Sequence, residues 1–474
     1  MMKVLLLLTL AASILETRAL LTSPRGMLRV CKSSLRMASN SHEEAKQVAI
    51  IGAGAAGLAA ARAFLRANES SSVKFEVSVF ESRQSIGGIW DYGSTKSAVS
   101  NGEKSSAFNG EKKAGPMYKN LRTNLPKELM AFREFPWTSP DESYVTHSQV
   151  NKYLNDYCDE FELRKCVKFG CSVKQLTVLD DKSKVETEWP QISIQWKHQE
   201  STRQQIFDTV CICNGHYALP SIPNLPGMQS FKGQILHAIE YDTPDSYANK
   251  TVLCIGARAS GADIAKEIGL VATKVYLSDS SCIERKEYGN VVLMPRTLSA
   301  NKEGGVHFSN EADAVRDIDV IIFCSGYDYD FPFINEDSKM DLKFVQGERR
   351  VTPLYEQLWH AKYPSVAFIG LPHSVVPFPM FEIQANVVTE VCQLQFTGQD
   401  GILPPSTERL KAAELDAASG GPDDPGRIQD THFLGSYQWD YCRKLAKLGG
   451  FYDQSTENYI STNKVRLCCD RIFS

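Results

Sequence analysis

The apolar positions of this chain are grouped into short unbroken runs, and two of these runs are followed by glycine-rich turns. Val48–Ile51 contains four apolar residues, three of them β-branched, and an alanine-rich stretch with glycines at Gly52, Gly54 and Gly57 follows it. Such a run is typical of a strand buried on both faces, and the alanines predict a helix directly after it. A further strand is predicted at Phe75–Phe80. The pattern therefore predicts a β–turn–α–β unit of a parallel sheet.

The spacing of the three glycines predicts a dinucleotide site. Gly52 permits the tight turn, Gly54 lets the backbone approach a pyrophosphate, and Gly57 lets the helix pack closely on the strand. The helix N-terminus presents unpaired N–H groups and a partial positive charge to the phosphates. Glu81 ends the second strand, where a carboxylate can accept hydrogen bonds from a ribose. Glycine turns alone are weak evidence, but Glu81 favours a dinucleotide site over a plain βαβ turn.

A second, imperfect copy of this unit begins at the strand Thr251–Ile255. Its first and third glycines are Gly256 and Gly261, and Arg258 stands at the place of the middle glycine. A bulky side chain there opposes the closest backbone approach. A guanidinium beside the pyrophosphate, or beside an extra phosphate, offsets this loss.

The residues after the second unit leave the choice of nicotinamide nucleotide open. The strand predicted at Lys274–Leu277 ends close to Asp279, and an acid at this place favours a free ribose, whereas a basic residue favours NADP. Asp279 and Arg258 therefore point in opposite directions. Two such units in one chain predict two dinucleotides, and a flavin with a nicotinamide is the usual pair for hydride transfer.

The remaining pattern predicts further elements around the two units. Apolar residues at helical spacing in Ser148–Leu163 predict a helix whose stripe belongs to the core. Strands are predicted at Val167–Val173, Gln191–Trp196 and Thr209–Cys213, and an aromatic-rich helical end is predicted around Tyr437–Phe451.

Composition narrows the class of protein. The 474 residues include 43% hydrophobic and 23% charged residues with a net charge of −4, which is typical of a soluble globular protein of two or three domains. The charge and the lack of a basic, aromatic-interleaved patch argue against nucleic-acid binding. The thirteen cysteines form no C-x-x-C pair, so neither a metal ribbon nor a disulfide reductase is supported. Cys211 and Cys213 are expected to be buried on one face of a strand.

The first forty residues differ from the rest. A basic residue, an apolar run at Val4–Leu15 and an arginine- and serine-rich stretch without acids predict a targeting presequence. A signal peptide followed by a transit region predicts delivery to a plastid of secondary origin; secretion, a mitochondrial leader and a disordered leader are the alternatives. A polar, nearly repeated insert is predicted at 92–115. No later run is long and apolar enough to predict a transmembrane anchor.

A motif between the two units carries a resemblance to a known family. Phe231, Gly233, His237 and Tyr241 match the signature F-x-G-x-x-x-H-x-x-x-Y, and the chain resembles the flavin-containing monooxygenases in it. Related Baeyer–Villiger enzymes usually have Trp at the last place. Further matching segments are Gly87–Trp90, Leu121–Asn124, Phe323–Tyr327 and Pro377–Gln384, and Cys213–Tyr217 and Ala259–Ile264 make the plant S-oxygenating branch the most similar.

The resemblance implies an α/β fold with two Rossmann-like domains, the NADP domain being inserted in a discontinuous FAD domain. The implied division is a presequence at 1–40, FAD-binding parts at 46–215 and 318–474, and an NADP-binding domain at 216–317. The second FAD part would end in the helical segment.

The resemblance also implies roles for individual residues. Asn124 would be the active-site residue that helps to hold the flavin, the nicotinamide and the hydroperoxide. His237 would be structural. The other implied FAD-binding residues are Gly52, Ala53, Gly54, Ala55, Ala56, Gly57, Glu81, Gly88, Trp90, Thr123 and Gln384, and the implied NADP-binding residues are Gly256, Ala257, Arg258, Ala259, Ser260 and Gly261.

The implied reaction is reduction of FAD by NADPH, followed by reaction with O₂ to a C4a-hydroperoxyflavin that oxygenates a soft sulfur or nitrogen nucleophile of a small molecule. Exclusion of water would protect that species. Two alternatives stay open at this stage: a Baeyer–Villiger monooxygenase on the same scaffold, and a nucleotide-binding flavoprotein that acts as an uncoupled NAD(P)H oxidase. No metal is expected in any of them.

Overall fold

A computed structural model describes residues 44–93, 115–140, 142–179, 188–301, 305–310, 314–344, 346–399, 402–420 and 427–472. The predicted presequence and all but the ends of the predicted insert at 92–115 lie outside the described residues.

Seven helices lie in the described part of the chain: α1 (Ala55–Ser70), α2 (His147–Glu160), α3 (Ala259–Ile268), α4 (Pro377–Thr397), α5 (Ser406–Ser419), α6 (Gln438–Leu448) and α7 (Gln454–Ile472). The strands in the same part are β1 (Lys46–Ile51), β2 (Phe75–Phe80), β3 (Val167–Lys168), β4 (Cys171–Leu179), β5 (Gln191–His198), β6 (Ser201–Phe207), β7 (Thr209–Ile212), β8 (Leu219–Pro220), β9 (Gln234–His237), β10 (Thr251–Ile255), β11 (Lys274–Ser278), β12 (Lys286–Tyr288), β13 (Val291–Met294), β14 (Thr297–Ala300), β15 (Val306–Phe308), β16 (Val320–Phe323), β17 (Tyr327–Asp328), β18 (Lys343–Phe344), β19 (Val351–Thr352), β20 (Leu354–Tyr355), β21 (Trp359–His360) and β22 (Val366–Phe368).

The first large sheet has the strand order β20-β21-β22-β7-β1-β2-β3. Its central strands β22, β7, β1, β2 and β3 are parallel, and β1 is flanked by β2 and β7 in continuous register. Val48–Ile51 is buried on both faces, as the unbroken apolar run predicted. The alanine face of α1 and the apolar α4 lie in the same core, in which the ring of Phe64 meets that of Phe75 edge to face at 5.1 Å.

The second large sheet has the order β12-β13-β11-β10-β16-β9 and is parallel except for the edge strand β12. Its strand β16, Val320–Phe323, lies beyond the boundary predicted between residues 317 and 318. One of the five parallel strands of this sheet therefore comes from sequence that was assigned to the second FAD part. The predicted α/β class with two Rossmann-like, mainly parallel sheets is confirmed.

Local sequence explains where several elements begin and end. Thr146 and Gln149 form a reciprocal capping box at the start of α2, whose buried positions are those of the predicted apolar stripe. Gly398 ends α4 in the left-handed conformation. The strand predicted at Val167–Val173 is wrong as a single element, because Gly170 has a φ of +63° and turns the chain from the first sheet into a separate three-stranded sheet.

Cys211 in β7 and Cys213 directly after it are buried in the same core cluster, which confirms that they face the same side of the sheet. Within the described ranges, no group of three or more His, Cys, Asp or Glu side chains is placed to hold a metal ion. None of the helices described combines the length and the hydropathy that crossing a membrane requires.

Candidate functional site

The turn between β1 and α1 can be made only by glycine at two places. Gly52 has a φ of +105°, and a Cβ on it would lie 2.6 Å from the carbonyl oxygen of Cys213. A Cβ on Gly57 would lie 1.9 Å from the carbonyl oxygen of Gly52. The first glycine is therefore needed for the turn and the third for helix packing, the two roles that the spacing predicted. Helix α1 begins within this turn, with Gly54 as its N-cap residue.

Glu81 fixes the first turn from the end of β2. Its Oε2 accepts a hydrogen bond from the N–H of Ala53 at 2.8 Å, and its Oε1 accepts one from the N–H of Arg83 at 2.9 Å. The side chain is 6% exposed. A carboxylate offers about four acceptor positions, so Glu81 can still accept a hydrogen bond from a ribose hydroxyl. The residues of this turn fit the adenosine half of a dinucleotide.

The middle glycine of the first turn faces a second glycine turn. A Cβ on Gly88 would lie 3.0 Å from the Cα of Gly54, and the N–H of Gly87 donates to the carbonyl oxygen of Ala53 at 3.0 Å. Trp90 ends the short 3₁₀ turn that begins at Gly88 and packs half-buried against the first core. Gly54 is thus next to backbone as well as next to the predicted pyrophosphate position. The contact of Trp90 with a flavin stays a prediction.

The second glycine turn has the same geometry as the first. Gly256 has a φ of +107°, and its Cβ would lie 2.6 Å from the carbonyl oxygen of Cys324. A Cβ on Gly261 would lie 1.8 Å from the carbonyl oxygen of Gly256. These values repeat those of Gly52 and Gly57, so the imperfect motif builds a complete dinucleotide turn.

Arg258 is tolerated at the middle position because its side chain is directed outward. It is the N-cap residue of α3, its backbone is extended, and it is exposed. At Gly54, by contrast, a Cβ would already be in van der Waals contact with the Cα of Gly88, at 3.6 Å. Ala257, Ala259 and Ser260 complete the turn and the first helical residues. The guanidinium of Arg258 therefore lies at a helix N-terminus that already favours anions.

Arg349, which sequence reasoning did not single out, lies at the same turn. Its Nη2 donates to the carbonyl oxygen of Ser325, and its Nε is 3.9 Å from Oδ1 of the buried Asp328. The pKa of Arg349 is lowered by burial; Asp328 opposes this shift, and the nearby Arg258 adds to it. Only the fold brings Arg349 to Arg258, and no sequence signal marks it.

Thr123 and Asn124 are presented by a short segment that pairs with the start of α2. The N–H of Thr123 donates to the carbonyl oxygen of Val145 at 2.8 Å, and its Oγ1 accepts from the N–H of Val145 at 3.2 Å. Thr123 is buried, whereas Asn124 is exposed. The backbone of this segment is thus fixed while the Asn124 amide is directed away from the core. Its role as the active-site residue stays a prediction.

Gln384 lies inside the first domain rather than on an open surface. Its Oε1 accepts from the N–H of Gly370 at 2.9 Å, and its Nε2 donates to the hydroxyl of Tyr441 at 2.9 Å. A Cβ on Gly370 would be 3.3 Å from the Cβ of Ala56 in the first helical turn. Gln384 therefore fixes the backbone that faces Ala56. Direct contact between its amide and a flavin stays a prediction.

His237 connects the second sheet to the chain that returns to the first. Its Nδ1 accepts from the N–H of Ile239 at 3.2 Å, so Nε2 carries the proton and donates to the carbonyl oxygen of Gly326 at 3.0 Å. The imidazole is fully buried, and burial lowers its pKa to about 4. The structure gives His237 the fixed hydrogen-bonding role that was expected of it.

A row of rings runs between the carboxyl ends of β7 and β16. Successive ring centroids are 4.3 to 5.5 Å apart, and the order is His237, Tyr327, Tyr217, His216, Tyr329 and His432. We call these six residues the aromatic row. Tyr217 is 40% exposed although it lies within the row.

The histidines of the aromatic row are neutral at neutral pH. Burial lowers the pKa of His216 to about 4, with a smaller contribution from the nearby His373. Burial lowers the pKa of His432 to about 3, and His373 and His216 contribute to this shift. Within the described part of the chain, the buried Nε2 of His216 has no hydrogen-bond partner. This atom is free to bind a group held at the carboxyl end of β7, which is where ligands bind in parallel α/β sheets.

Comparisons with known proteins agree with this geometry. The family model described as "FMO-like: Flavin-binding monooxygenase-like" matches residues 45–286 and 283–413. The flavin-containing monooxygenase FMO GS-OX3 of Arabidopsis thaliana is 32% identical over 432 residues, which are 85% of each chain. FMO GS-OX5 of the same plant is 33% identical over 420 residues, which are 84% of each chain.

The chain is also similar to solved structures. The S-allyl-L-cysteine S-oxygenase from Allium sativum has a TM-score of 0.73 and 29% identity, covering 89% of this chain and 93% of that one. Tmm from a Pelagibacter strain has a TM-score of 0.67 at 21% identity, covering 88% of this chain and 90% of that one. A cyclohexanone monooxygenase has a TM-score of 0.57 at 13% identity, covering 86% of this chain and 98% of that one. The last two show the fold alone.

Proposed function

The chain belongs to the flavin-binding monooxygenase-like family and is a monooxygenase with FAD and NADPH as cofactors, and we propose that it transfers an oxygen atom from O₂ to the sulfur of a small thioether. Nitrogen of a tertiary amine is the second soft nucleophile that this proposal includes. The solved relative named S-allyl-L-cysteine S-oxygenase supports sulfur as the first choice.

One observation carries the proposal: two glycine turns of equal geometry lie at the carboxyl ends of two parallel sheets that a row of rings connects. The Cβ positions of Gly52 and Gly256 meet the carbonyl oxygens of Cys213 and Cys324 at the same 2.6 Å. The chain can therefore hold two dinucleotides, one at each turn. Their reactive ends can meet where the aromatic row connects the two sheets, a place that we call the junction, and hydride transfer between them requires this arrangement.

The residues of the two turns divide between the two cofactors. The first turn, with Glu81, Gly88, Trp90 and Thr123, would bind FAD, and the Nε2 of His216 is a further group available to it. The second turn would bind the nicotinamide nucleotide, with Arg258 at its phosphates. When bound and reduced, FAD would supply the activation of O₂ for the oxygen transfer. The chain supplies binding, orientation and protection from water.

The protein side of the junction suits a neutral nucleophile. Histidines of the aromatic row are neutral because burial lowers their pKa values far below neutral pH. Asn124 can donate and accept hydrogen bonds without titrating. The junction therefore offers orientation without a strong proton donor. A thioether needs no deprotonation before it attacks an electrophilic oxygen, and a tertiary amine attacks as its neutral free base.

The proposal is tested by product analysis. Flavin-loaded protein is incubated with NADPH and O₂ in three separate reactions, which contain S-allyl-L-cysteine, a tertiary amine or a cyclic ketone as the substrate. The expected product is the sulfoxide, formed in amounts that match the NADPH consumed, and parallel assays with NADH give the coenzyme preference. Lactone formation with the ketone alone would identify a Baeyer–Villiger enzyme. Stoichiometric hydrogen peroxide without any oxygenated product would identify an uncoupled oxidase.

A further inference from the structure

The segment that carries Thr123 and Asn124 is attached to the nicotinamide-binding helix, and this connection lies outside both glycine turns. Tyr118 belongs to the apolar core beneath the second sheet, with Ile264 of α3 and Val252 of β10. It is buried, 3% exposed. Only five residues later, Thr123 is paired with Val145 on the FAD side. The chain therefore crosses from one domain to the other immediately before Asn124.

Two carboxylates of α3 hold this crossing. The hydroxyl of Tyr118 donates to Oδ2 of Asp263, and the amide of Asn120 donates to Oε1 of Glu267. Asp263 and Glu267 are four residues apart and so lie on one face of the helix. Burial, and then Asp263, raise the pKa of Tyr118, so the phenol keeps its proton and remains a donor. Both bonds have an ionisable carboxylate acceptor.

The signature Tyr241 supports the same face of α3. Its hydroxyl donates to Oε2 of Glu267 at 2.5 Å, and its ring meets that of Tyr118 edge to face at 5.3 Å. The N–H of Lys119 donates to the carbonyl oxygen of Asp242 at 3.2 Å. The segment 118–120 is thus fixed by both α3 and the end of the signature motif.

Asp263 lies one turn into α3, about 6 Å along the axis from its first residue. The N-terminus of this helix follows the turn Gly256–Gly261, where the nicotinamide nucleotide binds. A ligand that holds the N-terminus of a short helix also restricts the next turn, because the helix moves as one rigid element. A displacement of α3 would therefore be passed to Tyr118 and, through the crossing, to Asn124.

We propose that Tyr118 is a positioning residue that, through Asp263, couples nucleotide binding at the second glycine turn to the order of the segment 118–124. The coupling rests on the proposed role of Asn124 for its effect on oxygenation, but the ordering of the segment is independent of that role. Without the bond, the nucleotide still binds and still reduces the flavin, while Asn124 is no longer held in place.

Hydrogen exchange tests the coupling directly. In flavin-loaded protein, NADP⁺ at ten times each variant's own Kd should slow exchange of the Lys119, Leu121 and Thr123 amides. In Tyr118→Phe this slowing should be reduced by roughly three- to tenfold, as for the loss of one intramolecular hydrogen bond. Asp263→Ala should have the same effect, and it leaves the apolar core unaltered because Asp263 is exposed. Asp263→Asn, whose amide oxygen still accepts from Tyr118, should retain most of the slowing.

Tyr247→Phe is the matched control, because Tyr247 lies in the same apolar cluster and its ring lies 5.8 Å from that of Tyr241. It removes a buried phenol oxygen without removing a bond to α3, and it should retain the full effect. If Tyr118→Phe and Asp263→Ala keep the slowing seen in the unaltered protein, or if Tyr247→Phe loses it equally, the proposal is overturned. Absence of any slowing by NADP⁺ in the unaltered protein overturns it as well.

A second measurement separates this proposal from the proposed function. Tyr118→Phe should change the rate of flavin reduction by NADPH less than about twofold, whereas hydrogen peroxide released per NADPH should rise several-fold. If exchange follows the expectation but no variant, nor the unaltered protein, oxygenates a thioether or an amine, the coupling stands and the proposed function fails. If oxygenation is normal and exchange does not respond, the coupling fails and the proposed function stands.

Discussion

At the scale of single residues, Asn124 carries the chemical part of the proposal. It is exposed while its neighbour Thr123 is buried and bonded at its N–H and its hydroxyl oxygen. Asn124→Asp preserves shape but replaces an amide donor by a carboxylate, which is acceptor-only. We expect oxygenation to fall by about 10²–10³-fold, the usual cost of removing one well-placed donor, while flavin content and the free energy of unfolding stay unchanged. Sulfoxide yield, flavin absorbance and a denaturant titration measure the three quantities.

Asn249→Asp is the control for added charge. Asn249 precedes β10, at the amino ends of the second parallel sheet and opposite the dinucleotide turns, and its φ of +59° is one that Asp adopts readily. This variant should oxygenate normally. Coupled turnover in Asn124→Asp at the level of Asn249→Asp would remove Asn124 from the site.

Arg258 is the residue on which the second cofactor site depends most. Its exposed guanidinium lies at the N-terminus of α3. Arg258→Ala should raise the Kd for NADP⁺ roughly tenfold or more, the effect of losing a charge-assisted bond to phosphate. Arg258→Lys should recover part of this, since the charge remains but the planar fork is lost.

Parallel titrations with NADP⁺ and NAD⁺ locate the contact. If Arg258 binds the pyrophosphate, both nucleotides weaken equally; if it binds the extra phosphate, only NADP⁺ weakens. Unchanged affinity for both nucleotides in Arg258→Ala would exclude Arg258 from the site. Arg349 should then be altered next, because its guanidinium lies at the same turn.

At the scale of elements, the first glycine turn separates folding from cofactor binding. In Gly57→Ala the new Cβ would lie 1.9 Å from the carbonyl oxygen of Gly52, so α1 must move away from β1. We expect a loss of about 2–3 kcal/mol in the free energy of unfolding, as for other overpacked core positions. In Gly54→Ala the Cβ lies 3.6 Å from the Cα of Gly88, and the φ of −81° suits alanine.

Gly54→Ala should therefore keep the stability of the flavin-free protein within about 0.5 kcal/mol. Its flavin affinity should nevertheless fall, because the methyl group occupies the place of closest approach to the pyrophosphate. Denaturant midpoints of the flavin-free proteins and flavin titrations are the two measurements. Equal flavin affinity of Gly54→Ala and the unaltered protein would show that this turn does not approach a pyrophosphate.

The elements also show which parts of the fold a sequence can predict. β2 and β10 were predicted with their observed bounds, because an apolar run and a following glycine or acid determine them locally. β6, Ser201–Phe207, was not predicted, since most of its residues are polar and exposed and it forms only by pairing with β5. Gly170 divided a predicted strand because a positive φ is invisible in an apolar pattern.

At the scale of the whole molecule, the sequence predicted the two glycine turns but not what surrounds them. Arg349, His432 and the bond from Tyr118 to Asp263 join segments that are far apart in the chain, and no local pattern marks such pairs. The motif residues could be found because a phosphate-binding turn demands particular residue types at fixed spacing. The residues that complete the junction could not be found, because many residue types can serve there.

The buried histidines make the stability of the whole molecule depend on pH. Burial lowers the pKa values of His216, His237, His360 and His373 to about 4 and that of His432 to about 3. The unfolded chain protonates these side chains near pH 6.5. Between these values the unfolded state binds more protons, so stability rises with pH in this window. It is greatest above pH 6.5 and falls as the pH decreases towards 4, by up to about 1.4 kcal/mol per pH unit for each histidine.

Denaturant titrations of the unaltered protein and of His432→Gln between pH 7.5 and 5 test this dependence. His432 is the histidine with the lowest pKa, and its Nε2 accepts from the N–H of Val351 at 3.0 Å, a bond that a glutamine oxygen can replace. The variant should lose less stability on acidification. The slope of its free energy of unfolding against pH should be smaller by up to about 1.4 kcal/mol per pH unit, the contribution of one histidine. An equal slope in both proteins would mean that His432 is protonated in the folded state at these pH values. The aromatic row would then carry positive charge at the junction, and its suitability for a neutral nucleophile would have to be abandoned.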